Sequence, residues 1–205
     1  GENLHDGSQM IIGVKDGLID YIGPPIQGAF APHTVHLDCR DKIIVPGLID
    51  CHTHLIYGGD RSSEFSLRSG GATYESLLAA GGGIHHTVRA TRRSSAEMLR
   101  ATGIRRLDRM LSYGVTTVEV KSGYGLDVEN ELKILRVINE LNSHSIDCVP
   151  TCLAAHIVPK DFKGGRRSYI DYIIHNILPR VAEEKLAEFV DIFIEDGAFD
   201  VSDGR

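Results

Sequence analysis

The chain has 205 residues, of which 42% are hydrophobic and 24% are charged, and it carries a formal net charge of −6 at pH 7. This composition is typical of a globular protein and excludes a disordered chain. The acidic balance argues against a nucleic-acid partner, and no apolar run approaches the roughly 20 residues that a membrane helix needs. Because the amino terminus also lacks a signal-peptide pattern, we expect a cytoplasmic protein without a membrane or nucleic-acid partner.

Residues 1–41 are predicted to form short strands and turns. Two apolar runs, Met10–Val14 and Leu18–Ile22, lie on either side of Asp16-Gly17. Asp-Gly between two apolar runs is a strong signal for a tight β-hairpin. The sequence therefore predicts a small β unit at this end of the chain.

An apolar run rich in β-branched residues, from Ile43 to Ile49, ends at two histidines one residue apart, His52 and His54. The run predicts a buried strand. Residues i and i+2 of a strand point to the same side, so the two imidazoles could bind one metal ion. The spacing alone leaves a metal pair and two unrelated surface histidines equally open. A buried strand with polar groups at its carboxyl end favours a parallel α/β barrel.

The segment from Tyr57 to about Arg93 is polar and rich in glycine, including Gly81-Gly82-Gly83. A segment of this length and composition is predicted to be a functional loop. His85 and His86 are interpreted as residues of that loop, because adjacent side chains in extended backbone point apart and cannot easily share a metal.

Helices and strands alternate in the rest of the chain. A capping box at Ser94–Glu97, with Ser94 as the cap, predicts a helix that Gly114 ends. The later segments predicted are strands at Val115–Val120, Ile146–Leu153 and Val190–Ile194, and helices at Val128–Asn142 and Tyr169–Glu188. Alternation of this kind is typical of an α/β fold. Roughly 160 residues follow Lys42, about half of the 250 or so that a complete (β/α)8 barrel takes.

The motif Pro46-Gly-Leu-Ile-Asp-x-His-Thr-His54 resembles the first barrel strand of the amidohydrolase superfamily. Within that superfamily, further segments resemble the imidazolonepropionase family over nearly the whole chain. They are Tyr57-Gly58-Gly59-Asp60-Arg61, Gly70-Gly71-Ala72-Thr73-Tyr74, Ala80-Gly81-Gly82-Gly83-Ile84, Lys121-Ser122-Gly123-Tyr124-Gly125-Leu126 and Ala154-Ala155-His156-Ile157-Val158-Pro159. His-x-His marks only the superfamily, whereas its combination with Ser-Gly-Tyr-Gly and Gly-Gly-Gly-Ile is narrow.

The resemblance implies the first half of a (β/α)8 TIM-type barrel in residues 42–205, preceded by part of a small β-sandwich domain in residues 1–41. It implies the metal-dependent hydrolysis of the cyclic amide 4-imidazolone-5-propanoate to N-formimidoyl-L-glutamate in histidine degradation. The superfamily's remaining metal ligands would lie beyond Arg205. We therefore expect this chain to be truncated and incomplete for activity.

For the metal, the resemblance implies one divalent or trivalent ion bound by His52 and His54. Imidazole ligands do not distinguish zinc from iron. In two-metal relatives a carbamylated lysine bridges the ions, and Lys121 stands at a strand end where such a group would lie. The resemblance is to a one-metal branch, which argues against that role.

For the substrate, Arg61 matches the family's substrate-binding arginine, and its planar fork suits the carboxylate of a propanoate. Tyr124 matches a tyrosine that contacts the substrate ring, and Tyr74 is a less specific match of the same kind. His156 follows a strand, where barrel enzymes place functional groups. It is predicted to bind the substrate and to act in catalysis by donating a hydrogen bond to the substrate carbonyl.

Two other functions remain open at the level of sequence. Another amidohydrolase, such as a deaminase, would share His52-x-His54, and half a barrel could also be a non-catalytic fragment or a binding remnant. An arginine cluster in residues 89–109 lacks interleaved aromatic residues, which favours a solvated helix face or a subunit contact over nucleic-acid binding. We expect a small-molecule substrate and leave a homodimer open.

Overall fold

The structure is a computed structural model that describes residues 10–26, 33–71 and 82–205. The chain separates into two compact units, Gly1–Val45 and Pro46–Arg205. No helix within the described ranges is both long and apolar enough to cross a membrane.

The first unit contains the predicted hairpin. Strands β1 (Ile11–Lys15) and β2 (Leu18–Gly23) pair antiparallel, with Lys15 opposite Leu18. The two residues between them, Asp16 and Gly17, have φ angles of 52° and 77°. Positive φ at both central residues is the geometry that Asp-Gly favours, because it matches the twist of the two strands. The hairpin prediction is confirmed.

The second unit is built on a curled sheet of four parallel strands. They are β3 (Leu48–Thr53), β4 (Val115–Lys121), β5 (Asp147–Ala155) and β6 (Phe189–Ile192), hydrogen-bonded in that order. Because every strand runs in the same direction, all four carboxyl ends lie at one edge of the sheet. The predicted α/β alternation is confirmed.

Helices connect the strands and cover the sheet. They are α1 (Ser62–Ser69), α2 (Ile84–Arg93), α3 (Ala96–Ser112), α4 (Val128–Glu140), α5 (Gly165–Tyr172) and α6 (Leu178–Glu183). A 3₁₀ turn, Leu141–Ser143, follows α4, and a π turn, Ile173–Ile177, joins α5 to α6. Apolar side chains of α4 at helical spacing, Leu132, Leu135 and Ile138, are buried in the core together with Val118 and Val120 of β4.

The segment predicted as a long loop instead contains two helices, α1 and α2. The buried face of α2 consists of Thr87, Val88 and Thr91, and the Thr91 hydroxyl accepts a hydrogen bond from the Gly58 N–H at 3.0 Å. Two of these three residues are polar, so the face does not produce the apolar stripe by which a helix is usually detected. His85 and His86 therefore lie on a helix, and the loop interpretation was wrong.

The predicted helix cap is also displaced by one residue. Ser95 caps α3 by accepting a hydrogen bond from the Met98 N–H at 3.2 Å. Ser94 instead donates its hydroxyl to the Ala90 carbonyl oxygen at 2.9 Å and so ends α2. Each of these adjacent serines binds the backbone of a different helix. The spacing of residues alone could not show which serine caps α3.

The first barrel-type strand is shorter and more exposed than predicted. It begins at Leu48, and the preceding apolar residues are outside the strand, with Ile43 91% exposed. Within β3, Ile49 is 69% exposed. The physical reason is that β3 lies at an edge of the described sheet, where β4 is its strand neighbour on one side.

Candidate active site

Three aromatic side chains from separate parts of the sequence meet at the carboxyl edge of the sheet. His54 follows β3, Tyr124 lies in the loop after β4, and His156 follows β5. The His54 and His156 rings stack with centroids 4.8 Å apart and planes 10° apart. The Tyr124 ring lies 4.9 Å from His54 and 5.5 Å from His156. The structure thus brings three of the predicted site residues into one cluster.

The tautomer of His54 follows from its backbone partner. Its Nδ1 atom lies 3.1 Å from the Ser122 carbonyl oxygen, and a carbonyl oxygen only accepts, so Nδ1 must carry the proton. Burial has the largest effect on the pKa of His54, and together with the nearby His156 and His52 it lowers that pKa to about 3. The ring is therefore neutral at neutral pH, with a lone pair at Nε2, which is the form in which imidazole binds a metal.

His52 and His54 together suit one metal ion. Their ring centroids are 5.9 Å apart and edge-to-face, close to the separation of about 5–6 Å expected for two imidazoles on one tetrahedral ion with Zn–N distances of about 2.1 Å. Among the residues that the structure describes, no group of three or more His, Cys, Asp or Glu side chains could hold a metal. A catalytic zinc site usually has three protein ligands, so the histidine pair is by itself fewer than such a site needs.

His156 is held by the same kind of bond as His54. Its Nδ1 atom lies 3.0 Å from the Gly123 carbonyl oxygen, so Nδ1 carries the proton here too. Burial lowers the pKa of His156, and the bond to Gly123 partly opposes that effect. The neutral ring offers Nε2 to the site as a hydrogen-bond acceptor. The predicted donor role at the substrate carbonyl would need a second proton on this ring.

Arg61 is oriented by an acidic neighbour three residues later. Its Nε and Nη2 atoms lie 2.7 Å and 2.6 Å from one oxygen of Glu64, and the other oxygen accepts the Gly83 N–H at 2.9 Å. Burial raises the pKa of Tyr124, and the charge of Arg61 opposes that rise. Tyr74, the remaining predicted substrate contact, lies outside the described residues.

Lys121, at the end of β4, is an ammonium ion held between two carboxylates. Its Nζ atom lies 2.7 Å from Glu119 and 2.9 Å from Asp191, and the residue is 7% exposed. Burial alone lowers its pKa, but the hydrogen bonds to Glu119 and Asp191 outweigh that effect and raise it. Carbamylation requires a neutral amine, so this pairing argues against a bridging carbamate.

Two arginines of the arginine cluster in residues 89–109 bind the backbone around the site. Arg92 donates to the Gly125 carbonyl at 2.6 Å and pairs with Asp161 at 2.7 Å. Arg106 donates to the Leu55 carbonyl at 2.5 Å, and its guanidinium lies 3.6 Å from the centre of the Tyr57 ring. The Tyr57 and Tyr124 rings are in turn 6.2 Å apart in an edge-to-face arrangement. These two members of the cluster are structural supports of the site rather than a solvated face.

Two glutamates that position site residues were missed by the sequence reasoning. Glu64 holds Arg61, and Glu131 of α4 accepts three backbone N–H groups of the loop that carries Tyr124. The i, i+3 spacing of Arg61 and Glu64 was a signal for the first. For the second, the signal was a carboxylate on the same helix face as Leu135 and Ile138, where an apolar residue is expected.

Alanine at position 123 is expected to destabilise the second unit and displace His156. Gly123 has φ of +102°, and an added Cβ would lie 2.8 Å from the Leu153 carbonyl oxygen and 2.9 Å from His156 Nδ1. Backbone strain of this kind costs about 1–3 kcal/mol, and the overlap adds to it. Urea unfolding of G123A would measure the loss.

The matched control for that substitution is G197A. Gly197 also has positive φ, +83°, but no atom lies within 4 Å of the added Cβ. We expect G197A to lose about 1–2 kcal/mol and G123A to lose clearly more. Equal losses would mean that the overlaps with Leu153 and His156 do not add to the backbone strain.

Functional groups gathered at the carboxyl ends of parallel strands, beside a histidine pair suited to a metal, are the arrangement of α/β enzymes. The chain is similar to imidazolonepropionases along nearly its whole length. Proteins of that name from Myxococcus xanthus, Streptococcus pyogenes serotype M49 and Clostridium tetani are 47%, 49% and 45% identical to it over 199, 197 and 196 residues. The resemblance that the motifs indicated is confirmed.

These alignments cover 95%, 95% and 94% of this chain and 47% of each relative. The chain therefore spans about half the length of the curated relatives it matches. No protein-family model matches the chain.

Proposed function

We propose that this chain provides part of the active site of an imidazolonepropionase, which hydrolyses 4-imidazolone-5-propanoate to N-formimidoyl-L-glutamate. The observation that carries the proposal is the cluster of His54, Tyr124 and His156, whose rings lie 4.8 to 5.5 Å apart at the carboxyl edge of the sheet. The names of the relatives support the same reaction.

We further propose that the parallel sheet is the first half of a (β/α)8 barrel and that residues 1–41 contribute to a small β-sandwich. The order of the strands follows the sequence, as in a barrel. The outermost strands expose apolar side chains, with Ile49 of β3 69% exposed and Phe189 of β6 58% exposed. Further strands of the same barrel would cover these side chains and pair with the two edges. The β1–β2 hairpin supports the sandwich.

His52 and His54 would hold one metal ion, zinc or iron, together with ligands outside this chain. When bound, such an ion supplies a hydroxide nucleophile by lowering the pKa of its water ligand, and it polarises the carbonyl under attack. The Ser122 carbonyl keeps the proton of His54 on Nδ1 and leaves Nε2 for the metal.

The protein's own groups would orient the flat ring of the substrate. The rings of Tyr124 and His54 provide apolar faces, and His156 Nε2 can accept a hydrogen bond from a ring N–H. Glu64 binds the Nε edge of Arg61, which leaves the edge formed by Nη1 and Nη2 directed to a second carboxylate, that of the propanoate. The tail and the ring of the substrate would thus be bound by different parts of the chain, the tail by Arg61 just before α1 and the ring by groups at the strand ends.

The test is metal content and hydrolysis of imidazolonepropanoate, measured on residues 1–205 and on a protein extended to the length of the relatives. We expect about one metal ion per chain and hydrolysis only in the longer protein. An aminoazine serves as the competing substrate, since a deaminase would release ammonia from it. Deamination without ring opening of imidazolonepropanoate would refute the proposal, and full activity of residues 1–205 would refute the need for further ligands.

The substitution R61M is expected to raise KM for imidazolonepropanoate by about 10-fold to 100-fold. This range corresponds to the loss of a charge-assisted hydrogen bond worth about 1.5–3 kcal/mol. Because Glu64 offsets part of the charge of Arg61, the lower end is more consistent with the structure. Steady-state kinetics of R61M in the longer protein would measure the effect, with little change in kcat.

A substrate analogue with the carboxylate replaced by a carboxamide gives the sharpest control. Wild type and R61M should use this analogue with similar KM values, because the interaction that the variant lacks is absent from the substrate as well. R167M, at a side chain that is 80% exposed, should behave as wild type. A penalty of the same size for both substrates would show that Arg61 does not bind the propanoate.

A further inference from the structure

Glu131 is a carboxylate with 0% of its surface exposed, on the first turn of α4. Its Oε1 atom accepts hydrogen bonds from the N–H groups of Gly125 at 2.8 Å and Leu126 at 2.7 Å. The Gly123 N–H lies 3.2 Å and 3.1 Å from its two oxygens, and the Ser122 hydroxyl also bonds to it. One buried side chain therefore binds most of the segment 122–126, which we call the tyrosine loop because it carries Tyr124.

This carboxylate is not needed to cap its own helix. Asp127 is the N-cap of α4 and accepts the Asn130 N–H at 2.8 Å. Burying a charged group is costly unless hydrogen bonds compensate for the lost water. Burial raises the pKa of Glu131, and the hydrogen bonds from Ser122, Leu126, Gly125 and Gly123 oppose that rise. These donors all belong to the tyrosine loop, so the loop is what the buried carboxylate holds.

The geometry of the peptide bond transmits this anchoring to the two histidines. In a trans peptide the N–H and C=O of one unit point in opposite directions. The Gly123 N–H points to Glu131, and the carbonyl of that same unit, Ser122 O, bonds His54 Nδ1. In the next unit, the Gly123 carbonyl bonds His156 Nδ1. A single peptide unit therefore connects Glu131 to the bond that orients His54. The next unit along the chain makes the bond that orients His156.

The backbone of the tyrosine loop requires such an anchor. Gly123 has φ of +102°, and Leu126, which has a side chain, has φ of +60°. A non-glycine residue in this region persists only when its surroundings fix it. A Cβ on Gly125 would overlap the backbone of Asn130 and Glu131, so the loop also packs directly on the start of α4.

We propose that Glu131 is a positioning residue of the active site, because it fixes the tyrosine loop. The carbonyls of that loop then hold His54 and His156 in the Nδ1–H form, and the Tyr124 ring packs against both histidines. This role rests on the proposed function, because the two histidines and Tyr124 are its metal-binding and substrate-binding groups. Because none of its surface is exposed, Glu131 itself would act only through the tyrosine loop.

The experiment compares E131Q with wild type in the full-length protein. Glutamine has nearly the same shape, but its NH₂ group would face N–H donors of the loop. We expect kcat to fall by about 10-fold to 100-fold, as for other groups that orient metal-binding histidines, while KM changes less. With ¹⁵N-labelled histidine and no added metal, two-bond ¹H–¹⁵N spectra report the tautomers directly. We expect the Nδ1–H form of His54 and His156 in wild type and a tautomer mixture in E131Q.

The matched control is E129Q, on the same turn of α4 but exposed. It makes the same Glu-to-Gln change and should leave kcat and both tautomers unchanged. A folded E131Q with wild-type tautomers and wild-type kcat would overturn the proposal. If the wild-type protein does not hydrolyse imidazolonepropanoate, the proposed function fails, whereas the tautomer comparison still decides the role of Glu131.

A measurement on wild type covers the case in which E131Q does not fold. The amide protons of Gly123, Gly125 and Leu126 should exchange with solvent as slowly as those of β4, since a buried carboxylate binds them. Exchange at the rate of an exposed loop would show that Glu131 does not hold the loop in solution, and the proposal would be wrong.

Discussion

H54N is expected to lose the bound metal and, with it, the hydrolysis of imidazolonepropanoate. Asparagine places an amide near the position of the histidine Nδ1 atom, so it can keep the hydrogen bond to the Ser122 carbonyl, which is 3.1 Å long in the structure. What it lacks is the Nε2 lone pair. The metal-activated water is worth several kcal/mol of transition-state stabilisation, so kcat should fall by about 10³-fold or more.

Metal analysis and kinetics of the longer protein would test this prediction. H175N is the control, because His175 is exposed in the π turn and bonds the Asp171 carbonyl in the same way, at 2.7 Å. It should retain the full metal content and the wild-type rate. An H54N protein that still carried one metal ion per chain would exclude His54 as a ligand.

The parts of this fold that the sequence predicted are those controlled by local patterns. The strand β4, the helix α4 and the hairpin turn at Asp16-Gly17 each follow from periodicity or turn chemistry within a few residues. The meeting of His54 with His156 is a long-range contact. It was still predictable, because the carboxyl ends of parallel strands share one edge of the sheet.

The parts that the sequence did not predict depend on partners far along the chain or on faces of mixed polarity. The helix α2 buries two threonines and a valine, so its sequence reads as polar. Glu131 looks like a solvated helix residue until the tyrosine loop is seen to place its N–H groups against it. The exposure of Ile43 and Ile49 contradicts their apolar character, because burial depends on neighbours that a strand pattern does not specify.

H156N is expected to lower kcat by about 10²-fold to 10³-fold, the effect of removing one hydrogen-bonding group that acts on the reacting ring. His54 and His156 are stacked with centroids 4.8 Å apart, and each bonds one of two successive carbonyls of the tyrosine loop. Asparagine can again keep the Nδ1-type bond, here to Gly123, while the Nε2 group is lost.

H54N and H156N therefore make the same substitution at two stacked histidines, but we expect different effects on metal content. H54N should lose both metal and activity, whereas H156N should keep about one metal ion per chain and lose activity only. The reason is that a single catalytic zinc has about three protein ligands, and His156 is not among those proposed. Loss of metal in H156N would place this histidine among the ligands. If H156N retained the metal and the wild-type kcat, His156 would not be a catalytic group. It would then be only a packing partner of His54 and of Phe193, whose ring lies edge-to-face with that of His156 at 5.7 Å.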